Sequence, residues 1–164
     1  MAKQFQTHPF EPIFDKDSRI LILGSFPSVK SRENNFYYWH PQNRFWKVLA
    51  SLLKKPGPET IEEKKAFLLS NHIAVWDTVA YCKIENSDDS SISNVKANDL
   101  SLILKNADIK AIYTNGKTSA KLYGKYIEPQ INIKATVLPS TSPANAAWNL
   151  QRLCEAWQII LKEL

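Results

Sequence analysis

Only two cysteines, Cys82 and Cys154, occur in 164 residues, and they stand far apart with no metal-like spacing. Two reduced, structural thiols are expected over a disulfide. The three histidines, His8, His40 and His72, are equally scattered, so no metal site is expected. Glycine is limited to four residues. The segment Gly24-Ser25-Phe26-Pro27-Ser28 lacks the glycines of a dinucleotide- or nucleoside-triphosphate-binding loop. No nucleophile elbow and no Ser/His/Asp set is evident, and no cofactor is called for. No apolar run is long enough to cross a membrane, and the amino terminus lacks a signal-peptide apolar region. A cytoplasmic protein with no membrane partner is the expectation. Repeats, low-complexity tracts and internal boundaries are absent too, so residues 1–164 read as a single domain.

What is present is ordinary for a globular chain: 44% hydrophobic and 23% charged residues, in a length that can bury a full core. The formal net charge of +5 and a pI of about 9.1 permit a polyanionic partner without proving one. The stretch Arg19 to Trp46 organises the rest. Ile20 to Leu23 is a continuous apolar run ending in Gly24, which suits a strand buried on both faces of a parallel sheet. A polar, aromatic-rich loop follows. Pro41 suits the start of a helix carrying Phe45, Val48, Leu49, Leu52 and Leu53 at helical spacing. Thr60 and Glu63 form a capping-box pattern for a helix to about Ser70. His72 to Asp77 is a second strand, Lys110 to Thr114 a third and Ile131 to Leu138 a fourth. Between them, residues 81–97 read as a polar loop, Asn98-Asp99 as the cap of a helix to about Asn106, and Lys117 to about Ile127 as another helix. A last amphipathic helix runs from about Ala146 to Lys162. Residues 1–18, with Pro9, Pro12, Phe10 and Phe14, read as an extended arm.

Alternating strands and helices predict an α/β fold: three layers, α/β/α, around a central, mainly parallel four-stranded sheet. In such sheets ligands sit beyond the carboxyl ends of the strands. The segments there are the loop after Gly24, Asp77-Thr78, Asn115-Gly116 and Ser140 to Asn145. Each has a plain and a sharper reading. Asn43 either satisfies orphan amides at a helix start or orients a water or substrate. Among Tyr37, Tyr38 and Trp39, a ring either packs in the core or stacks on a base. Asp77 either caps the next segment or serves a substrate N–H or a water, because a carboxylate ending an apolar strand needs a partner. Ser140-Thr141-Ser142 is either a plain turn or a source of hydroxyls and N–H groups for a phosphate. Lys117, Lys121 and Lys125 share one helical face, either solvated or lying against a DNA backbone.

Taken together these segments resemble the uracil-DNA glycosylase superfamily. His40-Pro41-Gln42-Asn43-Arg44-Phe45-Trp46-Lys47-Val48 is similar to the His-Pro-X-Asn-Arg-Phe-Trp stretch of mismatch-specific uracil and thymine glycosylases. Leu138-Pro139-Ser140-Thr141-Ser142 is similar to their second motif, and Ile112 to Tyr123 to the strand-to-helix turn between the two. One departure stands out. Where most of the superfamily carries an Asn or Asp that handles the catalytic water, this chain has Phe26. The second motif also lacks the His of classical uracil enzymes. Gly24-Ser25-Phe26-Pro27-Ser28, with the downstream Tyr37-Tyr38 and the His-Pro-X-Asn-Arg-Phe-Trp stretch, resembles the hypoxanthine-DNA glycosylases, whose counterpart of Asn43 takes over catalysis, and the missing acid weighs against robust uracil removal. The resemblance implies a monofunctional DNA glycosylase acting on hypoxanthine (deoxyinosine), or else on uracil and mismatches more broadly, or a catalytically weakened DNA-binding relative. It implies a monomer acting on double-stranded DNA that contains a deaminated base. By the same resemblance Asn43 is catalytic; Tyr38, Asp77, Phe26 and Ser25 bind the base; Ser140, Thr141, Ser142 and Lys117 hold the DNA backbone; and Ala144 or Asn145 is the wedge.

Overall fold

The apolar run after Arg19 is a strand covered on both faces: Ile20, Leu21, Ile22 and Leu23 are all wholly buried. A computed structural model describes residues 3–164. In chain order its elements are β1 (Gln4–Thr7), β2 (Ile20–Gly24), α1 (Val29–Asn34), α2 (Phe45–Leu53), α3 (Ile61–Ser70), β3 (Ile73–Asp77), β4 (Val79–Glu85), β5 (Asp88–Ala97), α4 (Ser101–Asn106), β6 (Ala111–Asn115), α5 (Lys117–Tyr126), α6 (Glu128–Ile131), β7 (Thr136–Leu138) and α7 (Leu150–Trp157), the last running on as a 3-10 helix over Gln158–Glu163. The central sheet has the order β3-β2-β6-β7, and every pairing in it is parallel. Because side chains alternate across a strand, β2 feeds two cores. Ile20 and Ile22 join Phe45, Val48, Leu49, Leu68, Leu153 and Trp157 beneath α2, α3 and α7. Leu21 and Leu23 join Leu100, Ile103 and Tyr123 beneath α4 and α5. The expected three-layer α/β/α arrangement is therefore present, and each such fully buried side chain contributes roughly 1.5–3 kcal/mol.

Several expectations on element bounds fail. Residues 81–97 are not a loop. They form most of the β4–β5 hairpin, which pairs antiparallel and, with β1 on the far side of β4, makes a second, three-stranded sheet. In β4, Cys82 and Ile84 are buried beside Phe26 and Val79, while Tyr81 between the strands' inner residues is exposed. Only one face of this sheet needs to be apolar, so β5 can be polar, and its serines and aspartates concealed it. The arm before β2 correspondingly begins as β1, and Ile13 bridges Val75 further on; its first two residues lie outside the described ones.

The fourth strand is shorter than Ile131 to Leu138. Pro129 sits in the first turn of α6, and Asn132 closes that helix in the left-handed conformation, so only Thr136–Leu138 pairs with β6. The helix after Pro41 starts at Phe45, with Pro41 and Gln42 in a turn ahead of it, and the last helix starts at Leu150, where the Asn149 side chain accepts the N–H of Arg152. Cys82 and Cys154 are both free thiols. Among the described residues, no helix is long and apolar enough to cross a membrane.

Candidate functional site

The carboxyl ends of β2, β3, β6 and β7 converge on one cavity of about 300 Å³. It is lined by Ser25, Phe26, Tyr38, Asn43, Asp77, Asp89, Asn115, Ser140, Thr141, Ser142 and Ala144, among others. Asn43, Tyr38 and Asp77, far apart in the chain, thus share one opening.

Asn43 is built into the start of α2. Its Oδ1 accepts the backbone N–H of Phe45 at 3.0 Å and the hydroxyl of Thr141 at 2.8 Å. The Phe45 contact fixes the amide's orientation, since an N–H needs an acceptor. Both acceptor positions of Oδ1 are then used, and Nδ2 has no hydrogen bond among the described residues. The oxygen therefore serves the fold, in a side chain that also lines the cavity.

Thr141 is wholly buried. Its hydroxyl also accepts from Asn115 Nδ2 at 3.0 Å, and its N–H donates to Asn115 Oδ1 at 3.0 Å. The Thr141 side chain therefore holds the cavity floor and does not face outward to a DNA backbone, which corrects its expected grouping with Ser140 and Ser142. Arg44 binds the same loop from the other side. Its guanidinium donates to the carbonyls of Thr141, Ser142, Asn145 and Trp148. Trp157 Nε1 donates to Pro139 O at 2.9 Å. Arg44 was read only as part of a motif; its role as the clamp of the 141–148 loop needs the fold to be seen.

Tyr38 stacks on Phe45 with ring centroids 3.9 Å apart and planes inclined by 18°. Its backbone is left-handed, with φ of 51°. A bulky residue held there stores of order 1–3 kcal/mol, a cost typical of functional sites. The Tyr38 hydroxyl is buried, close to Asp77 and Asn115 without meeting either in hydrogen-bond geometry. Burial first, and the Asp77 charge second, push its pKa far above the ordinary tyrosine value.

Asp77 is held by a residue the sequence did not offer. His8, on the chain just after β1, brings Nε2 to 2.7 Å from Asp77 Oδ2, and both side chains are 5% exposed. His8 Nδ1 lies 2.8 Å from the carbonyl of Phe10. A carbonyl only accepts, so Nδ1 carries a hydrogen. The contact with Asp77 then needs one further proton, on Nε2 or on the carboxyl, and the pair is neutral overall in either case. Oδ1 of Asp77 keeps no partner among the described residues.

That oxygen lies against Gly24, where an added Cβ would collide with Asp77 Oδ1 and come within 3.1 Å of the Tyr38 hydroxyl. Gly24 is present for this close approach. Gly24→Ala is expected to displace the carboxylate and abolish whatever reaction the cavity supports. Thermal melting and activity measured on the same preparation check this, with activity lost even where the fold survives. Gly116 is required differently: its φ of 100° turns the chain from β6 into α5 beneath Ser140.

Phe26 is 6% exposed and packs with Val79, Cys82 and Ile84, so its ring is a wall of the cavity and part of the core under the three-stranded sheet. Ser25 donates its hydroxyl to Asp89 at 2.9 Å. Ser140 and Ser142 are half-buried at the rim, their hydroxyls accepting the N–H groups of Ser142 and Ala144. Lys117, Lys121 and Lys125 are exposed, and Lys117 borders the outer cleft beside Trp148. Of the two wedge candidates, Ala144 is exposed at the lip, whereas Asn145 turns its amide back to Ser140 O.

A family model described as the uracil DNA glycosylase superfamily matches residues 11–164. The chain belongs to that superfamily. Two relatives named hypoxanthine DNA glycosylase are similar to it: one from Methanosarcina barkeri, 33% identical over 141 residues covering 83% of this chain and 86% of the relative, and one from Methanosarcina acetivorans, 32% identical over 158 residues covering 93% and 96%. A solution NMR structure from Methanosarcina acetivorans, provisionally described as a uracil DNA glycosylase, superposes with a TM-score of 0.81 at 28% identity over 97% of this chain and 98% of that one. As a member of this superfamily the protein is a DNA glycosylase, a hydrolase whose partner is DNA. In this glycosylase two site residues, His8 and Asp89, escaped the sequence reading, and Asn115 was picked out only as part of a strand-end segment, with no role of its own. Asn115 had a signal, since it ends a strand on the functional edge. His8 and Asp89 had none, because they arrive from the arm and the hairpin of the second sheet.

Proposed function

We propose that this glycosylase is monofunctional and hydrolyses the N-glycosidic bond of a flipped deaminated base, hypoxanthine first, in base excision repair. The observation that carries the reading is the meeting of Asn43 Nδ2, the Tyr38 ring and Asp77 Oδ1 around one cavity, in a chain whose motif-one position is a core phenylalanine and whose relatives include proteins named for hypoxanthine. The cavity is at the lower end of the size range for small-molecule sites, which suits a single ring system.

A base on a duplex must be extruded, at a cost of a few kcal/mol that is lower for mispaired bases such as hypoxanthine. Tyr38, backed by Phe45, offers the ring face on which the base stacks. Asp77 Oδ1 accepts the N1–H of hypoxanthine. Adenine presents a lone pair at N1, so two acceptors would face each other and adenine is disfavoured. When the bond breaks, its electron pair leaves with the base. Asn43, having only donors to offer, hydrogen-bonds that developing negative charge. Ser140, Ser142 and Lys117 hold the flanking backbone, with Ala144 at the gap. No lysine lines the cavity, which supports hydrolysis without strand cleavage.

Single-turnover assays on duplexes carrying hypoxanthine, uracil, xanthine or a thymine mismatch test this. Hypoxanthine should be released fastest, with strand breaks appearing only after alkali. Faster release of uracil would transfer the enzyme to the broader uracil and mismatch reading. Duplex binding with no release from any substrate would leave a DNA-binding relative.

A further inference from the structure

The loop after β2 gives the cavity no acid, because Phe26 is committed to the core beside Val79, Cys82 and Ile84. A carboxylate nevertheless stands next to it. The β4–β5 hairpin folds over this loop and brings Asp89 to Ser25, whose hydroxyl donates to Asp89 Oδ1 at 2.9 Å. Asp89 lines the same cavity as Asn43 and Asp77, and it also borders the outer cleft that contains Lys117. It is solvent-accessible at this lip, and Oδ2 makes no hydrogen bond among the described residues. No cation lies within ion-pair distance of it among them.

Anchoring the hairpin does not require this carboxylate. Ser87 already accepts the N–H of Val29 at 2.9 Å, and Arg32 donates to Asn86 O at 2.8 Å. The groups facing Asp89 are mostly acidic or neutral: Asp77 from β3, Asp88 from its own strand, Cys82 from β4 and Tyr38 from the loop before α2.

We propose that Asp89, delivered by the hairpin in place of an acid after β2, is the catalytic residue that takes the proton of the attacking water and faces the sugar cation. The assignment rests on the glycosylase reading above. The bond from C1′ to the base nitrogen breaks and its electron pair goes to the base. The water oxygen bonds to C1′, and the water proton passes to Asp89 and from there to solvent. The base anion takes up a proton from solvent, so the sum is hydrolysis. The hydrogen-bonded, water-accessible carboxylate suits this: Ser25 fixes Oδ1 and leaves Oδ2 for the water. Burial, the largest influence, together with Asp77 and Asp88 pushes the Asp89 pKa up to about 6, while the Ser25 hydrogen bond opposes the rise.

The test is a single-turnover pH profile on a deoxyinosine duplex for the wild type, Asp89→Asn and Ser25→Ala. Wild-type activity should rise through about pH 6, as the carboxylate ionises, and level off above it. Asp89→Asn keeps shape and hydrogen bond. It should lose roughly 100-fold or more on the plateau, lose the acidic limb, and retain duplex binding and melting temperature. Ser25→Ala removes the bond that favours the ionised form, so its limb should move to higher pH. Asp89→Asn with wild-type rate and an unchanged limb would overturn the role of Asp89 while leaving the glycosylase reading intact. A wild type inactive on every deaminated duplex would instead overturn that reading, and this proposal with it.

Discussion

Asn43→Ala lowers the single-turnover rate of base release by roughly 10²–10³-fold while duplex binding is retained, the effect typical of losing one preorganised donor to a developing anion. The same change removes the oxygen that accepts from Phe45 and Thr141, so a loss of about 1 kcal/mol of stability accompanies it. Asn43→Asp separates the two roles. An aspartate keeps an oxygen for the cap, and its charge is favourable at a helix start. The atom facing the cavity, however, becomes an acceptor. If Asn43 works by donating, Asn43→Asp is stably folded and as inactive as Asn43→Ala. If instead the side chain positions water by accepting from it, Asn43→Asp stays active, and that result would remove the donor role assigned here.

His8→Ala has the second largest expected effect, and mainly on stability. The His8–Asp77 pair is buried, with Nε2 2.7 Å from Oδ2. Removing the histidine leaves a carboxylate with 5% exposure and no partner on Oδ2. Breaking a buried pair in this way typically costs about 3–5 kcal/mol. Denaturant unfolding at neutral pH measures it. Adding Asp77→Asn to His8→Ala removes the leftover charge, so the double variant should regain much of the stability. It should not regain discrimination between hypoxanthine and adenine, because the acceptor at Oδ1 is no longer assured. A His8→Ala protein that unfolds with the wild type would mean that water enters and replaces the histidine, and the arm would then be dispensable to the pocket.

Residue by residue, the legible part of the site is the part carried on the central sheet. The apolar run Ile20 to Leu23 could only be a doubly covered strand, and the acid at Asp77 and the amide at Asn115 fall where parallel strands end. Asn43 was readable both as a helix-start residue and as a site residue; the structure shows its oxygen holding the start of α2 and the Thr141 hydroxyl, in a side chain that lines the cavity. Thr141 was misplaced because a Ser-Thr-Ser turn gives no clue to which hydroxyl points inward; the Asn43 and Asn115 amides decide that. The β4–β5 hairpin was unreadable for another reason. A sheet with one wet face needs few apolar residues, and Asp88, Asp89, Ser90 and Ser91 look like a loop until their backbone pairing is seen.

The amino-acid sequence alone determined the α/β class, the parallel sheet and the family motifs around Asn43 and Ser140, because hydrophobic periodicity and short-range spacing are local properties of a chain. Tertiary structure alone decided that His8 secures Asp77, that Arg44 clamps the 141–148 loop, and that Asp89 meets Ser25. These contacts join residues 64 to 104 positions apart. Side-chain partners at such separations are selected by how the sheets and loops pack, and nothing in the local pattern of either residue encodes the other.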